Sequence, residues 1–170
     1  MPGYARNMRK KTKKTKKTDD RLRVVIALTE SSPLDVLWRE AMKLMQDSPA
    51  DLLALLVDDE RWRRAASLPF TREISRISGA VAEFTPQRAE ELNREGITRM
   101  QSRMQELATK AHLAVRFEVL PESDRERIRK FIGAGRNILI AHSLIRGRPI
   151  YTHLSQCDCR MLLIDAVDEK

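Results

Sequence analysis

Several short stretches of the chain carry side chains capable of chemistry. His142 and Ser143 stand side by side just after an apolar run, Thr29-Glu30 and Val57-Asp58 end two others, and Arg146-Gly147-Arg148 follows closely. Grouped together, the first three pairs would line a small-ligand cleft, and the two arginines would hold phosphate or sulfate by charge. Two exposed loop arginines are also often simply solvated. Cys157-x-Cys159 with His153 nearby suggests a metal, but a lone C-x-C and one histidine supply too few ligands at the wrong spacing for structural zinc. The plainer reading packs one thiol and puts the other in a turn. A third kind of chemistry lies in Lys10, Lys11, Lys13, Lys14, Lys16 and Lys17, a threefold KKT repeat suited to phosphate backbones.

These residues need elements to position them, and the hydrophobic periodicity supplies a candidate set. Leu22–Thr29, Asp51–Asp58 and Asn137–Ala141 are near-continuous apolar runs of strand length, the pattern of strands covered on both faces. Leu113–Leu120 alternates apolar and polar, as an edge strand does, and Arg160–Ala166 reads as a fifth strand. Ser32-Pro33 signals a helix start, with Leu34, Leu37, Trp38, Ala41, Leu44 and Met45 on one stripe. Pro86 opens a long helix to about His112. Ser123-x-x-Glu126 has the spacing of a capping box for a helix carrying Ile128, Phe131 and Ile132, which ends at Gly133 and Gly135. Residues 59–85 read as an insertion with a short helix over Glu60–Ser67 and a second over Arg72–Val81, its Ile74, Ile77 and Val81 facing inward. Helical turns fill Pro149–Gln156.

Strands alternating with helices predict an α/β, Rossmann-like fold: an open parallel five-stranded sheet with helices on both faces. Open sheets of this kind bind ligands outside the carboxyl ends of their strands, at the topological switch point. Thr29, Glu30, Val57, Asp58, His142, Ser143, Gly147 and Arg148 are therefore the cleft candidates. They read either as a retained small-ligand site or as a structural remnant.

The element order and two local stretches resemble the universal stress protein family over residues 22–166. VVIALTESS from Val24 is similar to the family's opening strand, and HLSQCDCRMLLI from His153 to Ile164 to its last helical turn and final strand, with Cys159 on the family's cysteine. Members that bind ATP carry G-x2-G-x9-G-[S/T] after the fourth strand, where glycines let backbone N–H groups approach phosphate. Counting back from Cys159 puts Gly147 on the third glycine and Arg148 on the Ser/Thr; counting forward puts His142 and Ile145 on the first two. The two counts do not meet, so the loop is shortened. The acidic residue that binders place at the end of the first strand falls on Thr29, with Glu30 next to it. The resemblance implies the family's fold, a stress-related role and a homodimer, and it argues against ATP as a cofactor. Pairing would use the last strand, Met161, Leu162, Leu163 and Ile164, a short apolar edge of the kind that seeks a partner.

Composition narrows the rest. The chain has 32 Lys+Arg against 24 Asp+Glu, yet residues 1–18 hold eight bases and no acid, leaving the remainder balanced at 24 against 24. Residues 1–20 are thus expected to form a disordered Lys-rich tail and residues 21–170 a single α/β domain. The tail has three readings: nucleic acid or another polyanion, an anionic membrane surface, or no specific partner. The longest apolar run, Leu52–Val57, is far short of a membrane span. Two cysteines make no disulfide framework, which suits a reducing, cytoplasmic setting. No H-x-G-H, K-M-S-K-S or S-G-G-x-D-S motif supports adenylation chemistry. The expectation is a non-catalytic stress-response module acting through dimerisation and partners. Its rivals are a nucleotide-binding switch with weak hydrolysis and a nucleic-acid-associated protein binding through its tail.

Overall fold

The computed structural model describes residues 21–165; the lysine run Lys10–Lys17 lies outside them. Its centre is a parallel sheet built from β1 (Leu22–Leu28), β2 (Ala50–Asp58), β5 (Val115–Pro121), β6 (Asn137–His142) and β7 (Arg160–Ile164). The strand order is β5-β2-β1-β6-β7. The three near-continuous apolar runs become the three inner strands, and their side chains divide between two cores by alternation. Val24, Ile26 and Leu28 of β1 pack beneath α1 (Leu34–Gln46) and α3 (Pro86–Lys110). Val25 and Ala27 face α4 (Arg125–Ile132) and α5 (Pro149–Ser155) on the other side. Both faces are covered, which is why an all-parallel sheet persists here. The alternating run became the β5 edge, as its half-exposed pattern implied.

Helix boundaries depart from expectation in two places. Ser32 does not cap α1: Pro33 occupies the N-cap position, and the Ser32 hydroxyl turns back to accept from the Thr29 N–H at 2.8 Å. The capping box at Ser123 is also absent. Asp124 caps α4, its carboxylate accepting from the Arg127 N–H at 3.1 Å, while the Ser123 hydroxyl faces the Glu60 carboxylate at 3.5 Å. At the other end Gly133 terminates α4 as expected, with φ of 73°.

Residues 59–85 hold a larger correction. The first helix is present as α2 (Arg61–Ala66), but Arg72–Val81 is not helical. It forms a hairpin of β3 (Arg72–Ile74) and β4 (Val81–Glu83), antiparallel, with Ile74 opposite Val81. Ile74, Ile77 and Val81 therefore face solvent, not a core. Among the described residues no helix is long and apolar enough to cross a membrane.

Candidate functional site

β1 lies between β2 and β6, so the chain leaves the sheet in opposite directions at the carboxyl ends of β1 and β6. The topology thus brings Thr29, Glu30, Val57, Asp58, His142 and Ser143 to one end of the sheet, as the switch-point rule requires. What the side chains do there differs from an open cleft.

Thr29 is buried and used up locally. Its N–H and hydroxyl both meet Ser32 Oγ, at 2.8 and 3.0 Å, and its carbonyl accepts from the Ser32 N–H. Glu30 accepts a 2.8 Å hydrogen bond from the Trp62 indole of α2. It also lies against Gly96 of α3, where a Cβ would sit 3.3 Å from its carboxylate. The absence of a side chain at Gly96 is what lets α3 close over this carboxylate. Asp58 accepts from the Asn93 amide at 2.8 Å and sits 3.6 Å from Arg63. Between Glu30, Val57, Asp58, Asp59, Asn93 and Gly96 about 10 Å³ remains. That is room for about one water, whereas small-molecule sites span roughly 300–1,000 Å³.

Arg148 is the clearest departure from expectation. It is not an exposed loop arginine, since its side chain is only 13% accessible, with Nη2 lying 3.2 Å from Asp59 and 3.6 Å from Glu122. Both carboxylates are buried, and Arg61 closes on Asp59 from outside. Glu122 is further fixed at the start of α5, where it accepts from the Ile150 N–H at 3.3 Å. The Glu122 carbonyl lies 3.0 Å from His153 Nδ1, and Arg125 donates to His153 Nε2 at 2.9 Å. The arginine expected to reach for phosphate is therefore held inside the molecule by two acids.

The remaining candidates are separated from this network or do little in it. His142 caps the 3₁₀ turn Ser143–Gly147, accepting from the Leu144 N–H at 3.4 Å. Gly147 is exposed, and a Cβ there would meet nothing. Cys157 and Cys159 are free thiols packed against the α5 side of the core. Burial pushes both thiols up, Cys159 to about 11 with help from neighbouring Cys157 and Asp158, which keeps them protonated. His153 is spent on Glu122 and Arg125, so it does not join them as a ligand.

Sequence reasoning missed Asp59, Trp62, Asn93, Gly96 and Glu122. A glycine midway along a long amphipathic helix was the available signal for Gly96, since such a glycine marks close packing. The others carry no local mark. A hollow of about 960 Å³ opens at the opposite end of the sheet among Arg21, Arg23, Asp51, Arg116 and Lys130. Helices α3 and α4 end beside it, and Arg23 donates to the carbonyl of Ala134, in the turn after α4, at 3.2 Å.

No family model matches the chain, and no curated protein does. Among solved structures, it is similar to a protein from the universal stress protein family from Burkholderia pseudomallei. The TM-score is 0.56 at 18% identity, covering 84% of this chain and 96% of that one. At that identity the likeness is one of fold, and it agrees with the parallel five-stranded sheet.

Proposed function

We propose that this chain is a non-catalytic, universal stress protein-like regulatory module of the cytoplasm, acting through homodimerisation and partners, with no nucleotide cofactor. The observation that carries the reading is the filled switch point: Glu30 is bonded to Trp62, Asp58 to Asn93, and Arg148 lies between Asp59 and Glu122. A triphosphate placed there would face these carboxylates while the nearest buried cation is already committed to them. Coulombic repulsion at close range is costly wherever water is excluded. The short 3₁₀ turn after β6 supports the same reading, because the shortened loop suggested by residue counting leaves Gly147 out on the surface.

Calorimetric titration of the full chain with magnesium and ATP tests this directly. The expected result is no saturable heat into the millimolar range. A micromolar Kd that depends on magnesium would overturn the reading in favour of the nucleotide switch.

A further inference from the structure

Apolar side chains normally leave water on folding, and residues 68–81 do not. Leu68 is 63% exposed, Phe70 95%, Ile74 66%, Ile77 100% and Val81 56%. Four of the five are aliphatic and all belong to the β3–β4 hairpin or the loop leading into it. So many exposed apolar side chains within one short stretch of chain point to an interaction site.

The backbone fixes these side chains outward. Thr71 is pinned by its hydroxyl, which donates to the Ala65 and Leu68 carbonyls at 2.9 and 3.0 Å, and by its carbonyl, which accepts from the Phe84 N–H at 3.1 Å. Phe70 just before it is held at φ 66°, a left-handed conformation that bulky L-residues rarely adopt. Its ring gains no burial in return, and uncompensated strain of this kind clusters at functional positions. On the hairpin, Glu73 points toward α3 and binds Arg88 at 3.0 Å. Strand alternation then turns Ile74 and its cross-strand neighbour Val81 away from the body. Ile77 occupies the tip of the turn closed by Ser75 and Gly79 at 2.8 Å.

The surrounding charge identifies the partner. The guanidinium groups of Arg64, Arg72 and Arg76 have no partner among the described residues, and Glu73 is neutralised by Arg88. Glu83 lies at the hairpin base opposite Arg72. We propose that the hairpin and its leading loop form a docking tip for an anionic lipid bilayer, with Phe70, Ile74 and Ile77 entering the acyl boundary and Arg64, Arg72 and Arg76 meeting the headgroups. Amphipathic elements with basic flanks bind bilayers in this way. Single-stranded nucleic acid would satisfy the arginines and stack on Phe70, but the aliphatic residues would gain nothing from bases. The proposal does not depend on the state of the switch point.

The test uses the full chain with vesicles of phosphatidylcholine containing phosphatidylserine. Because the lysine-rich segment can also bind these vesicles, the readout is insertion of the tip itself. In an Ile77→Trp variant, the fluorescence added over wild type should shift to the blue and be quenched by brominated acyl chains. The triple variant Phe70→Ser, Ile74→Ser, Ile77→Ser should lose at least about tenfold in vesicle partitioning with an unchanged melting temperature, as expected for substitutions at exposed sites. Arg72→Ala with Arg76→Ala should cost about twenty-five-fold, each base contributing about fivefold. Vesicle binding without quenching of the added indole would assign all binding to the lysines and overturn the proposal. So would an unaffected triple variant, or an indole that responds to poly(U) but not to vesicles.

Discussion

Arg148 shows how a side chain's role is set by partners distant in sequence. Beside Gly147, after a strand, it reads as a solvated or phosphate-seeking arginine, because nothing nearby in sequence is acidic. Asp59 and Glu122, which claim it, lie at the ends of two other strands and converge only when the sheet forms. Burying three charges gives little net stability, but removing the central one leaves buried Glu122 without a cation and Asp59 with Arg61 alone. Arg148→Met should therefore destabilise by about 3–5 kcal/mol in urea unfolding. Adding Asp59→Asn and Glu122→Gln to it should recover most of that loss. Equal losses in the single and triple variants would mean that packing, not charge, explains the cost. The two thiols offer a second check at this scale. With Cys159 raised to about 11 by burial, the folded protein at pH 8 holds it as unreactive thiol. Labelling by a disulfide reagent should be slow, accelerate as pH rises toward 11, and become fast at pH 8 only in denaturant, where the ordinary value of about 8.5 returns. Rapid labelling of both thiols in the folded protein at pH 8 would contradict the packed environment.

The last strand raises the question of what completes an element with an open edge. Among the described residues β7 pairs with β6 on one side only, and Met161, Leu162, Leu163 and Ile164 are all partly buried, with Arg160 at the strand's start as its one charge. A second copy laid against β7 would extend the sheet across a two-fold axis. Sedimentation equilibrium should then show a dimer at micromolar concentration, and Leu162→Lys with Ile164→Lys should yield a folded monomer, since edge lysines oppose strand addition. A wild-type monomer would exclude this pairing. The strands were also the most legible elements, because an inner parallel strand must be apolar on both faces and so writes a continuous run such as Leu52–Val57. Residues 72–81 were misread for a related reason. Ile74, Ile77 and Val81 have helical spacing, and periodicity identifies a helix only when the stripe is buried. Here the apolar residues face water, the pairing of Ile74 with Val81 is local, and nothing in the spacing distinguishes the two cases. That the switch-point residues lie together at one end of the sheet was legible, because topology alone fixes that end. Their occupancy by Trp62 and Asn93 was not legible, since it depends on how α2 and α3 settle over β2.

Across the whole molecule, charge is divided by region. Residues 1–18 carry eight bases and no acid, whereas the rest of the chain is balanced at 24 against 24. Within the described residues many of those charges are mutually engaged, as in the Arg148 cluster, the Glu73–Arg88 pair and the Arg103 bridges to Asp35 and Glu106. Outside the hairpin arginines such a surface has little to offer a phosphate polymer, so the lysine-rich segment, with eight bases and no acid, is expected to carry most of any long-range polyanion affinity. Counterion release gives that statement a number. If all eight bases engage duplex DNA, the logarithm of the binding constant should fall with the logarithm of salt at a slope of about −7, or about −6 on a single strand. The contacts would be sequence-tolerant, because no aromatic or polar reader is interleaved among Lys10–Lys17. Retention of the full chain on heparin or duplex DNA should therefore be strong at low salt and lost steeply as salt rises, with little difference between sequences. Deleting residues 1–18 should abolish it while leaving the melting temperature of the folded domain unchanged. A truncated protein retained as tightly as the full chain would move the polyanion site onto the body, where the arginines around the hairpin would be the first groups to replace.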